Sequence, residues 1–137
     1  MKCTSKIKIN QQAIRQLSKG AVRSLEQTTE ALHTEVVRAE VVPRDTGLLE
    51  GEGFFADYSQ TNEGTATLVH STPYSRRLYF HPEYNFHREP WTDSKGGKHD
   101  GNPNAKGKWF EDWLPGGKEA KFAPDTFKEL YRRNAGL

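Results

Sequence analysis

The chain has 137 residues, a net charge of +2, one cysteine, and 3 Trp, 5 Tyr and 7 Phe. That length suits a single domain, residues 1–137; the lone Cys3 excludes an internal disulfide and a cysteine-rich zinc site; no apolar run approaches the roughly 20 residues that span a bilayer. Leu, Ile, Val and Phe make up only about 19% of the chain, so a lean core is expected, one that neighbouring copies would help to complete.

The small net charge hides a segregation. Lys2, Lys6, Lys8, Arg15, Lys19 and Arg23 stand in the first 25 residues without a single acid, whereas Glu26, Glu30, Glu35, Glu40, Asp45, Glu50, Glu52 and Asp57 follow against Arg38 and Arg44. Opposed blocks of this kind form either two solvated faces or complementary surfaces that orient one copy against another or against a partner. The first residues carry charge but no apolar stretch of signal-peptide length, so synthesis and residence in the cytoplasm are expected.

In chain order, residues 1–9 alternate polar and apolar, with Ile7 and Ile9 on one side, and suit an extended arm. Asn10 stands where a helix cap is wanted. Ile14, Leu17, Ala21, Leu25, Thr28, Leu32, Val36 and Ala39 then recur at steps of three or four, which predicts one long helix over 11–40 with a narrow apolar stripe. Gly20 weakens that helix by about 1 kcal/mol relative to Ala and is expected to bend it. Val41 and Val42 before Pro43 end it, because the residue before proline is pushed out of the helical region.

Asp45-Thr46 caps a turn carrying Leu48 and Leu49, which Gly51 and Gly53 close. Residues 53–58 and 65–70 read as two strands of a hairpin. Ala66, Leu68 and His70 lie on one face of the second strand, and the polar loop containing Gln60, Asn62 and Glu63 is expected to project as a contact surface. Pro73 suits the opening of a short helix capped by Thr72, with Tyr74, Leu78 and Phe80 on its apolar edge and Arg76 and Arg77 pointing elsewhere.

Residues 94–107 contain no apolar residue except Ala105 and read as an exposed, flexible loop. Trp109 and Trp113 are four residues apart, hence on one face of a short helix that Pro115-Gly116-Gly117 ends. They close the core or face a partner. A last helix capped at Asp125-Thr126 would bury Phe127, Leu130 and Tyr131, with Arg132 and Arg133 in its final turn. The predicted class is therefore α+β, a long N-terminal helix packed on a small antiparallel sheet with short C-terminal helices.

The turn Pro43-Arg44-Asp45-Thr46-Gly47-Leu48, the segment from Thr72-Pro73-Tyr74-Ser75-Arg76-Arg77-Leu78-Tyr79 through Phe86, Asn102-Pro103-Asn104-Ala105, and Lys108-Trp109-Phe110-Glu111-Asp112-Trp113-Leu114 occur in this order. Together they resemble the minor capsid or head-tail connector proteins of tailed bacteriophages, over residues 42–114. The run Glu50-Gly51-Glu52-Gly53 departs from that family's pattern. The resemblance implies a non-enzymatic virion protein without cofactors that forms a ring, sixfold by analogy, at the neck. Its partners would be other copies, the connector or head-completion protein, and the tail tube or tail terminator. It would reside first in the host cytoplasm and then in the virion.

Tyr74, Arg76, Arg77 and Tyr79 are the expected anchor, since Tyr and Arg dominate binding hot spots, although Tyr74 and Tyr79 read equally as core residues. Metal binding is not expected: His81, His87 and His99 have no spacing that would hold an ion on a rigid element. A His-Asn-His nuclease at His99 lacks the rigid frame needed to activate water, and no strained nucleophile turn occurs. The rival reading is a sequence-independent DNA-binding protein. Arg15, Lys19 and Arg23 repeat every four residues along one helix face and could neutralise phosphates, while the aromatics of residues 79–86 could stack on bases.

Overall fold

Helix α1 (Gln11–Arg38) runs unbroken for 28 residues, close to its predicted span, in a computed structural model that describes residues 11–43, 51, 53–84 and 86–137. The arm of residues 1–9, the Asn10 cap, Cys3 and the turn with Asp45, Thr46, Leu48 and Leu49 lie outside the described residues.

Of the predicted stripe on α1 only Thr28 and Val36 are buried, with Leu17, Ala21, Leu25, Leu32 and Ala39 half-buried. Ile14 stays 42% exposed, whereas Ser24, Thr28, Thr29 and Val36 are buried. The three small hydroxyls are satisfied by carbonyls one turn back: Ser24 to Gly20 at 2.6 Å, Thr28 to Ser24 at 2.7 Å and Thr29 to Leu25 at 2.7 Å. This back-bonding lets small polar residues sit in a close helix contact without an orphaned donor.

Gly20 does not interrupt α1. A Cβ there would stand 3.2 Å from the backbone of Ala135, just past the end of helix α3 (Phe122–Asn134). The missing side chain is what lets α3 come close. Asn134 then ties the two helices, donating to Ser24 Oγ at 3.0 Å and Gln27 Oε1 at 2.7 Å. The last helix begins at Phe122 rather than at the expected Asp125-Thr126 cap, and Phe127, Leu130 and Tyr131 are half-buried, not buried. Phe127 and Tyr131 stack on one another at 5.7 Å.

Strands β1 (Phe54–Asp57) and β2 (Thr67–His70) form the predicted antiparallel hairpin, with Phe54 opposite His70 and Ala56 opposite Leu68. Alternation sends Phe54 into the core and leaves Phe55 44% exposed. Phe54, Val36, Val41, Val42 and Trp109 make the core cluster, and Leu32, Leu68, Leu78, Tyr79 and Phe110 pack against it. This core lies against the second half of α1; the first half packs on α3. His33 donates from Nε2 to the Phe54 carbonyl at 3.0 Å, joining helix and sheet.

Residues 86–107 depart from the expectation of an exposed loop over 94–107. They contain a second hairpin, β3 (Trp91–Thr92) and β4 (Lys98–His99), with Trp91 opposite His99. Asp93 organises its turn by accepting at Oδ1 from the Lys95 and Gly97 amides, both at 2.8 Å. The Asp93 carboxyl is held below its ordinary value, first by its hydrogen bond with His99 and then by the Gly97 amide. Trp91 lies between the rings of His87, at 3.9 Å, and His99, at 4.6 Å.

The following stretch closes the end of α1. The chain leaves α1 at Arg38, and the carbonyls of residues 39–42 just beyond it each find a donor from residues 102–106. The Asn104 side chain bonds Ala39 O at 2.9 Å, its amide bonds Glu40 O at 3.2 Å, the Lys106 amide bonds Val41 O at 3.0 Å, and the Asn102 side chain bonds Val42 O at 2.7 Å. Glu40 adopts a left-handed φ of 56° to make the turn. Asn102, Ala105 and Gly107 are buried, and a Cβ on Gly107 would fall 2.6 Å from the backbone of Pro82.

Candidate assembly surface

Helix α2 (Ser75–Tyr79) starts two residues after Pro73 and has no side-chain cap. The hydroxyl of Thr72, expected to cap it, is buried without a hydrogen-bond partner. The Ser75 hydroxyl donates to Thr72 O at 2.8 Å and caps no helix amide. The later start rotates the apolar edge, so that Ser75, Leu78 and Tyr79 face inward while Tyr74 and Phe80 are 38% and 58% exposed.

This separates the four expected anchor residues. Tyr79 packs edge-on against Trp109 at 4.9 Å and beside Phe110 at 5.8 Å. Burial pushes its phenol above the ordinary value, so Tyr79 belongs to the core. Tyr74, Arg76 and Arg77 remain on the surface. Arg77 donates from Nε to Tyr84 Oη at 3.0 Å, with its guanidinium 5.8 Å from the Tyr84 ring centre. Tyr84 stacks on His81 at 4.7 Å, and His81 bonds Glu83 at 2.7 Å, which lowers the Glu83 carboxyl. The result is a half-ordered surface in which exposed Phe80 and Tyr74 flank an arginine already held in place.

Arg76 lies on the rim of a cleft of about 330 Å³ whose other walls are His70, Ser75, Tyr79, Trp109 and Phe110. An aromatic floor with a guanidinium at its mouth combines apolar area with a planar donor fork, the composition of protein-binding hot spots. His70 was legible only as a strand residue sharing a face with Ala66 and Leu68. In the structure Trp109 Nε1 donates to His70 Nε2 at 3.0 Å, and His70 stacks on Phe54 at 4.3 Å.

Trp109 is fully buried, so it has no surface for a partner, and Trp113 is half-buried against the same core. The two do not share a helix: a 3-10 turn, Glu111–Trp113, begins after Trp109. Below it Asp112 accepts from Lys106 at 2.9 Å.

The hairpin loop does not project as expected. Its 3-10 turn, Thr61–Glu63, is fastened to α1, with Thr61 Oγ1 donating to Glu26 at 3.2 Å and the Tyr58 hydroxyl bonding the Glu26 carbonyl at 3.2 Å and the Glu30 carboxylate. Burial, followed by Glu30, drives the Tyr58 phenol far above its ordinary value. Gln60, Asn62 and Glu63 stay exposed on this fixed loop.

Arg15, Lys19 and Arg23 are all exposed and line one groove of about 550 Å³ with Gln12, Gln16, Gly20 and Asn134. Among the described residues, no group of three His, Cys, Asp or Glu is arranged to hold a metal, and no helix is long and apolar enough to cross a membrane. Comparisons with protein-family models, with curated proteins and with solved structures find no match to this chain.

Proposed function

We propose that this protein is a structural component of the head-tail junction of a tailed bacteriophage, where copies assemble as a ring between the connector and the tail tube or its terminator. Sixfold symmetry follows from the resemblance alone. Assembly in the host cytoplasm and residence in the virion belong to the same proposal.

The observation that supports it best is spatial. Two of the segments that carry the resemblance, residues 72–84 and 108–114, meet at Trp109, where Tyr79 packs and the Lys108 amide bonds Tyr79 O, although Trp109 is separated from Tyr79 by a whole hairpin in sequence. The motif therefore reads as the scaffold that presents Tyr74, Arg76, Arg77 and Phe80, not as a reactive centre. The lean core adds to this: Ile14, Phe55, Tyr74, Phe80 and Leu114 are all large apolar side chains left exposed, and repeated modest interfaces in a closed ring would cover such residues through symmetry and avidity.

Replacing Arg76 and Arg77 together by Ala tests the surface. Both are exposed, so circular dichroism and Tm should change little. The variant should fail to join purified heads to tails, and light scattering should show weakened self-assembly or partner binding. Normal joining by a folded double variant would remove these residues from the interface.

A further inference from the structure

The groove between the first half of α1 and the end of α3 is a site of another kind. We propose that it binds the phosphate backbone of duplex DNA without regard to sequence, through Arg15, Lys19 and Arg23. The proposal does not rest on the junction role, because it follows from what lines the groove.

Its walls carry N–H donors from Arg15, Lys19 and Arg23 and from the amides of Gln12 and Gln16, while the amide hydrogens of Asn134 are engaged with Ser24 and Gln27. No acid lines it, and none of the three cations forms an ion pair among the described residues. Cations and amide donors that face no carboxylate are what phosphate oxygens accept from, and such contacts fix a protein on a duplex without reading bases. The groove is also built. Gly20 lets the chain at Ala135 approach α1, and Asn134 pins that wall through Ser24 and Gln27.

The spacing favours a polymer over a small anion. Steps of four residues on a helix advance about 6 Å, so Arg15 to Arg23 cover about 12 Å of axis. That length of duplex carries about seven phosphates, at one per 1.7 Å, a charge density well above that of the cation row, so contact would release condensed counterions. All three cations are exposed, unlike the enclosed donors that hold a free phosphate. A second copy docked through its own α1 is the weaker occupant, because the three acids of that helix are already engaged: Glu26 with Thr61, Glu30 with Tyr58 and Glu35 with Arg38.

The test measures binding of the full chain to a short, labelled, random-sequence duplex by fluorescence anisotropy between about 50 and 200 mM salt. Wild type should bind at low salt with a steep dependence. Replacement of Arg15, Lys19 and Arg23 by Gln should weaken binding at least tenfold and reduce the slope of log K against log salt by about 2.7, at roughly 0.9 per phosphate contact. The Arg76/Arg77 double variant, which also loses two charges, should keep the wild-type slope. Circular dichroism confirms that each variant is folded. Equal affinity and slope in the triple variant would overturn the proposal, as would wild type that ignores the duplex at low salt. Loss of self-association in the triple variant, with no duplex binding by wild type, would reassign the groove to a protein partner.

Discussion

Trp109→Ala should cost about 3–5 kcal/mol of folding free energy, the range for emptying a buried large aromatic site, and lower Tm by more than about 10 °C. Trp109 is fully buried and belongs to a core cluster completed by Val36, Val41, Val42 and Phe54. Its loss also removes the indole N–H that His70 Nε2 accepts and the ring against which Tyr79 packs. Since total stabilities of small domains lie near 5–15 kcal/mol, a lean core has little reserve. Trp113→Ala, at a half-buried position, should cost distinctly less. Thermal melts of both variants settle the comparison. A Trp109→Ala protein with wild-type Tm that fails only in assembly would place this residue in an interface instead.

Asn102→Leu comes next in size. The substitution keeps the volume but deletes the donor to Val42 O, and a buried carbonyl deprived of its partner costs about 1–3 kcal/mol. Its local consequence should exceed its global one. Asn102 anchors the stretch that covers the carbonyls of residues 39–42, just past α1, so amide exchange should accelerate for Asn104 and Lys106, whose N–H groups bond Glu40 and Val41, before the rest of the core is affected. Unchanged protection at both amides would mean that the stretch is held without Asn102.

Why such an anchor escaped sequence reasoning has a physical answer. Periodicity reports local structure, so it located α1, its end before Pro43 and the first hairpin. Residues 94–107 lack apolar spacing, and their order comes from hydrogen bonds to backbone about 60 residues away. Polar composition then looks the same as mobility. Gly20 shows a similar limit: propensity registers its cost to a helix, while the approach of Ala135 that it permits is a tertiary fact.

Helix α2 failed differently. Pro73 and Thr72 formed a reasonable start signal, but a helix of five residues presents less than two turns, so a two-residue shift in its start exchanged Tyr74 for Tyr79 at the core. The arginines were legible because both placements leave them outside. The groove on α1 was half legible. The row of Arg15, Lys19 and Arg23 is a sequence feature, but its second wall is contributed by Asn134.

The chain's surface, as described, pairs a held arginine and exposed aromatics on α2 with a donor-lined groove at the other end of α1, both carried on a rigid but thinly filled core. Such a molecule is suited to standing between larger partners. Electron microscopy of particles assembled without this gene product tests that role most directly. Filled heads accumulating beside separate, complete tails are the expected result, with joining restored on adding the purified protein; normally joined particles, or broken and unfilled shells, would contradict it.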